Sequence, residues 1–213
     1  MERKSNDTWQ VLLLGGASGV GKTQVSYRLA AALGLGITEV DDFQVILQYM
    51  TTPEQLPRLH FWDMYPDEAQ RLDEAQLLAH IQAVGRELAP ALEAVIANHL
   101  TDGPSLVLEG DFILPELAAR TAFAGVHADR RVRAVFIYEE DEQQILRNYY
   151  ARDDKEQTRR ARASWNYSQW LREEAARFGL PTVAARPWNT GLERVIEALG
   201  PQRRYETVVG RFG

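Results

Sequence analysis

Residues 11–24 read VLLLGGASGVGKTQ. The run from Val11 to Leu14 is short and wholly apolar, which is how a strand buried on both faces reads. Gly15, Gly16, Gly19 and Gly21 follow it, with Lys22 and Thr23 behind. Glycines let the backbone turn tightly and bring its N–H groups against a bulky ligand. Gly16, Ala17, Ser18, Gly19, Val20, Gly21, Lys22 and Thr23 together satisfy G-x-x-x-x-G-K-[ST], and a strand before with a helix after is the context in which that pattern cradles phosphate. N–H groups from about Ala17 to Thr23, with the positive end of the following helix, are expected to wrap the α/β-phosphates of a nucleotide. Lys22 would reach the β- and γ-phosphates, and Thr23 would put its hydroxyl on Mg²⁺. The competing reading is a glycine-rich turn with a solvated lysine. A dinucleotide fingerprint fits less well, because G-x-G-x-x-G needs glycine where Gln24 stands.

The rest of the chain sets the frame. It has 213 residues, 45% of them hydrophobic, which suits one α/β domain spanning 1–213. A net charge of -6 argues against nucleic acid as the main partner. Without cysteine there is no disulfide or thiolate chemistry, and His60, His80, His99 and His127 stand too far apart for metal-ligand spacing. The N-terminal apolar run is too short for a signal peptide, and no stretch approaches the ~18 apolar residues of a membrane span. A soluble, cytoplasmic protein is expected, with no membrane partner.

Short apolar runs alternate with amphipathic segments. Strands are expected at 10–14, 36–40, 105–108, 132–138 and 182–185. Helices are expected at 22–33, stopped by Gly34 and Gly36; at 67–100, where Leu77, Ile81, Val84, Leu88, Leu92 and Val95 recur every three or four residues and Pro90 introduces a kink; and at 115–123, 140–151, 157–178 and 190–199. Thr190 and Glu193 have capping-box spacing. Strand–helix alternation of this kind means a parallel sheet with right-handed crossovers.

A phosphate loop alone does not separate switches, motors and kinases. A GTPase would need D-x-x-G and N-K-x-D segments, which the chain lacks, as it lacks an LSGGQ-like transporter signature. It has instead EVDDFQ at the end of the second strand and LVLEGDF at the end of the third, placing two pairs of carboxylates near the γ-phosphate position. Glu109 and Asp111 flank Gly110 where a carboxylate commonly holds water on Mg²⁺; Glu109 is favoured for catalysis, and both are metal candidates beside Thr23.

These stretches, GGASGVGKT, VDDF and LEGD, followed by an arginine-rich segment, resemble the small phosphate-loop kinases of the shikimate, gluconate and adenylate kinase kind, and most closely 2-phosphoglycerate-kinase-like proteins. The resemblance implies a three-layer α/β/α P-loop fold with a five-stranded parallel sheet of order 2-3-1-4-5, and transfer of the γ-phosphoryl of Mg-ATP to a small-molecule hydroxyl, a phosphorylated acid among the candidates. It places the second substrate at residues 51–100, where Arg58, His60, Trp62 and Tyr65 suit a polar or anionic molecule, an exposed loop with incidental rings being the other reading. It implies Asp41 first, and Asp42 second, as the carboxylate that orients or deprotonates the acceptor hydroxyl; a helix N-cap is the alternative. A helical lid at about 148–163 is implied for Arg152, Arg159, Arg160 and Arg162, with Arg152 foremost in catalysis and Arg147, just outside that span, toward the nucleotide; a solvated face paired with Asp153, Asp154 and Glu156 is the alternative. Trp188, after the last strand, falls where such kinases hold adenine, unless it packs in the core. A zeta-toxin-like or antibiotic kinase and a non-catalytic regulatory ATP-binding protein share these features. The acceptor and the oligomeric state are not legible.

Overall fold

The computed structural model describes residues 9–200. Five parallel strands, β1 (Val11–Gly16), β2 (Gly36–Glu39), β3 (Leu106–Gly110), β6 (Val132–Tyr138) and β7 (Thr182–Ala184), make one sheet in the order β2-β3-β1-β6-β7. This is the 2-3-1-4-5 order once the short hairpin β4 (Ala122–Phe123) and β5 (Val126–His127) is set aside. β1 lies at the centre, with Leu12 opposite Val107 on one side and Arg133 on the other, and every one of its residues is buried. Its apolar run is therefore continuous rather than alternating, as a strand covered on both faces requires.

Helices cover both faces. On one, α1 (Lys22–Leu33) packs beside α9 (Gly191–Leu199); on the other, α5 (Glu74–Thr101) packs beside α8 (Thr158–Arg177). α1 ends at Gly34, whose φ of 65° lets its N–H reach the carbonyls of Ala30 and Ala31. Around these lie α2 (Val40–Met50), α3 (Pro57–Met64), α4 (Pro66–Arg71), α6 (Pro115–Ala118) and α7 (Glu142–Asp153).

Several boundaries differ from the sequence expectation. The helix expected at 67–100 is two, because Asp73 forms a capping box with Gln76 and starts α5 anew. Pro90 lies inside α5 without ending it. The helix expected at 115–123 stops at Ala118 and gives way to the β4–β5 hairpin. α2 and α3 occupy ground read as strand end and loop. Thr190 makes no capping box: its hydroxyl donates to the carbonyl of Pro187, at the end of a 3₁₀ turn over Trp188–Thr190.

Because the strands run parallel, their carboxyl ends share one rim. The segments after β1, β2, β3, β6 and β7 all emerge there, and so does the site.

Candidate active site

The loop after β1 wraps back onto the start of α1. Gly19 and Gly21 have φ of 79° and 93°, left-handed values that strain any other residue. A Cβ on Gly21 would stand 1.7 Å from Cη2 of Trp188, so the indole lies directly on the loop. The guanidinium of Arg186 sits 4.4 Å from the Trp188 ring and donates from Nε to Glu139 at 3.3 Å. Trp188 thus flanks the loop while also packing, partly buried, against the edge of the apolar core.

Lys22 is 7% exposed and ion-paired with Asp111 and, at 3.4 Å, with Oε1 of Glu109. The Thr23 hydroxyl donates to the same Glu109 oxygen at 3.3 Å. Burial pulls the Lys22 ammonium toward its neutral form, but the charges of Asp111 and Glu109 outweigh it and hold its pKa above the ordinary value. Burial pushes Glu109 above the usual carboxylate range, with Lys22 opposing and Asp111 adding to the shift. Asp41, in the first turn of α2, is raised as well, by desolvation first and by Asp111 next.

These groups line a cleft of ≈ 650 Å³ with the phosphate loop as its floor and Trp188 at one side. Of the expected residues, the structure brings together the loop, Lys22, Thr23, Asp41, Glu109, Asp111, Arg152 and Trp188. Asp42 lies in the first turn of α2 on an exposed position and does not line the cleft, and Arg147 turns away to bond Asp141 and Gln144. Arg152 is held by its neighbour Asp153 and stacks 5.0 Å from the Tyr149 ring. Arg159 is spent on the carbonyls of Ala69 and Leu72, and Arg162 on Glu142. Around residue 60, His60 is buried against Thr51, the Arg58 N–H donates to Glu87, and Tyr65 is exposed; of that group Trp62 lines a second cavity.

Sequence reasoning missed the groups that hold the loop. Asn148 donates to the carbonyl of Gly19 at 2.7 Å, Ser164 to that of Ser18 at 2.8 Å, and Tyr149 shares a 2.8 Å hydrogen bond with Ser164. Tyr167 donates to the carbonyl of Asp111 at 2.7 Å. A signal was present: Ala161, Ser164, Tyr167, Ser168 and Leu171 recur at helical spacing on the buried face of α8, and hydroxyls on a buried stripe must find partners.

No protein-family model matches the chain. About half of it is similar to archaeal 2-phosphoglycerate kinases. The match is 29% identical over 117 residues for Methanococcus vannielii, covering 50% of this chain and 37% of that protein, and 27% over 108 residues for Pyrococcus furiosus, covering 49% and 36%. The matched stretch thus spans little more than a third of these relatives' length. A shikimate kinase from Acinetobacter baumannii in complex with shikimate superposes with a TM-score of 0.50 at 16% identity, over 93% of this chain and 99% of that one. TT1252 from Thermus thermophilus superposes with a TM-score of 0.53 at 15% identity, over 90% and 96%. The fold is shared with a shikimate kinase. The P-loop α/β/α class and its sheet order therefore stand. Among the described residues, no helix is long and apolar enough to cross a membrane.

Proposed function

We propose that the chain is an ATP-dependent kinase that passes the γ-phosphoryl of Mg-ATP to the hydroxyl of a small-molecule acceptor. The observation that carries this reading is the buried Lys22–Glu109 pair, joined by Asp111 and Thr23, at the mouth of a glycine-turned phosphate loop. A phosphorylated acid is the acceptor class suggested by the name of the archaeal relatives.

The residues present fit Mg-ATP. The glycine-turned loop, Lys22 and Thr23 line the cleft where phosphates would lie, and Thr23 with Glu109 offers the hard oxygen donors Mg²⁺ takes, to be completed by phosphate oxygens rather than by a closed protein cage. Bound Mg-ATP supplies the transferable phosphoryl group and a cation that neutralises its oxygens. Lys22 serves as phosphate clamp: its ammonium, paired internally here, exchanges Asp111 for phosphate oxygens. Asp111, so released, accepts the proton of the acceptor hydroxyl, because it is the carboxylate that faces both the nucleotide cleft and the second cavity. Asp41 lines the nucleotide cleft, where it would orient water on a bound cation, but not the second cavity. Arg152, on the cleft wall, stabilises charge on the phosphoryl oxygens.

Calorimetry of Mg-ATP binding tests the first half. Lys22→Ala and Thr23→Ala are expected to weaken it at least tenfold; Thr23→Ala serves as the second variant because removing Lys22 leaves Glu109 buried without its partner. Wild-type affinity in both would end the reading. For the chemical step, Asp111→Asn should lower acceptor-stimulated ADP release by roughly a hundred- to ten-thousand-fold with ATP affinity little changed. Unchanged turnover would return the role to Asp41.

A further inference from the structure

A second cavity, of ≈ 800 Å³, opens between α3, α5 and the start of α8. It meets the nucleotide cleft at three residues, Ser18, Asp111 and Tyr149, so a molecule in it can present a hydroxyl to the place where the γ-phosphoryl is handed over. Its lining is mixed: Trp62, Leu77, Ile81 and Phe112 make an apolar wall, Lys155, Arg159 and Arg160 are cationic, and Asp111 and Glu156 are anionic, with Glu156 held by the Thr158 hydroxyl and Arg159 by the carbonyls of Ala69 and Leu72. Arg160 is already shared among Gln157, Asp153 and the Tyr149 ring, while Lys155 has no hydrogen-bond or ion-pair partner among the described residues.

Resting on the kinase reading above, we propose that this cavity is the acceptor site and that its acceptor carries an apolar, ring-sized body as well as an anionic group. A three-carbon phosphorylated acid meets the charge requirement but leaves the wall of Trp62, Leu77, Ile81 and Phe112 uncovered. The volume lies at the upper end of the ~300–1,000 Å³ typical of sites that enclose drug-sized ligands, far more than such an acid fills. The hydroxyl lies toward Asp111, the anionic group toward Lys155, and the ring between Trp62 and Ile81.

The test compares 3-phenyllactate, a hydroxy acid with a ring, with 2-phosphoglycerate by calorimetry on the full chain, with and without a non-hydrolysable Mg-ATP analogue. The expected result is at least tenfold tighter binding of 3-phenyllactate. Ala163→Phe and Ile81→Phe, which add bulk at two different parts of the lining, should each weaken that binding at least tenfold while leaving the analogue's affinity and the melting temperature unchanged. Equal or tighter binding of 2-phosphoglycerate, no binding of 3-phenyllactate, or binding that persists in both filled variants overturns the proposal. The analogue's own affinity reports separately on the kinase reading: if it does not bind while 3-phenyllactate does, the cavity stands as a site for a hydroxy acid with a ring, and the phosphoryl-transfer assignment falls together with the acceptor role.

Discussion

On the kinase reading, Arg152 would have to leave an existing pair before it could act on phosphate. Its Nε donates to Asp153 at 2.9 Å, and this contact, with a second hydrogen bond from Gln157, holds the Asp153 carboxyl down to about 2. A carboxyl depressed in the folded state contributes stability above its unfolded value of 3.8, and that contribution is lost as pH falls toward about 2. Both groups face solvent, so the effect on stability is small, but the titration itself is a reporter. Followed by carboxyl ¹³C NMR, Asp153 should titrate near 2 in the wild type and return toward 3.8 in Arg152→Ala. Adding Mg-ATP analogue and acceptor should raise it in the wild type as Arg152 exchanges Asp153 for phosphate. An Asp153 midpoint indifferent to ligands would show that Arg152 stays parked and takes no part in the reaction.

At the scale of elements, the segment at 148–163 is better anchored than its sequence suggests. Its arginines interleave with acids and show no apolar period before Ala161, yet Tyr149 is 1% exposed and tied through Ser164 to the carbonyl of Ser18, and Asn148 holds Gly19. Arg159 pins the start of α8 to α4. Motion on ligand binding is therefore expected only between these anchors, at about 151–158, where every residue but Gln157 is exposed. Hydrogen exchange should be slow at 145–149 and 161–168 with or without ligands, and should slow at 151–158 only when Mg-ATP analogue and acceptor are both present. Uniform exchange across 148–163 would argue instead for a lid moving as one piece. The same contrast marks what the sequence could convey. The phosphate loop, α1 and the central strands were legible because burial on both faces and glycine geometry leave one solution for VLLLGGASGVGKT. α2 was not, since its apolar residues include Val45, Ile46, Tyr49 and Met50, all of which are exposed, so their spacing reports no buried stripe. The carboxylates of the site could be named from EVDDF and LEGD, but which of them faces which cavity depends on packing between α2, β3 and α8, which no local pattern records.

For the whole molecule, the decisive fact is that both cavities open beside the phosphate loop and share Ser18, Asp111 and Tyr149 as a common wall. That wall is anchored, but the exposed segment at 151–158 borders both cavities, with Ala151 and Arg152 on the first and Lys155, Glu156, Gln157 and Thr158 on the second, so filling either cavity is expected to order it. A ligand that binds only the folded state stabilises it by RT ln(1 + [L]/Kd), about 2.7 kcal/mol at a hundredfold excess over Kd. At roughly 2–4 °C per kcal/mol for a domain of this size, Mg-ATP analogue at that excess should raise the melting temperature by about 5–11 °C. A second ligand entering the adjoining cavity finds that segment already ordered and bears less of the entropic cost. The acceptor probe should therefore bind more tightly in the presence of the analogue, and by linkage the analogue should bind more tightly, by the same factor, in the presence of the probe. Thermal unfolding with each ligand alone and with both gives the check: at fixed ligand concentrations, the shift with both is expected to exceed the sum of the separate shifts. A merely additive shift would mean that the segment at 151–158 is ordered before either ligand arrives, and a smaller one that the acceptor's anionic group lies near the triphosphate rather than at Lys155.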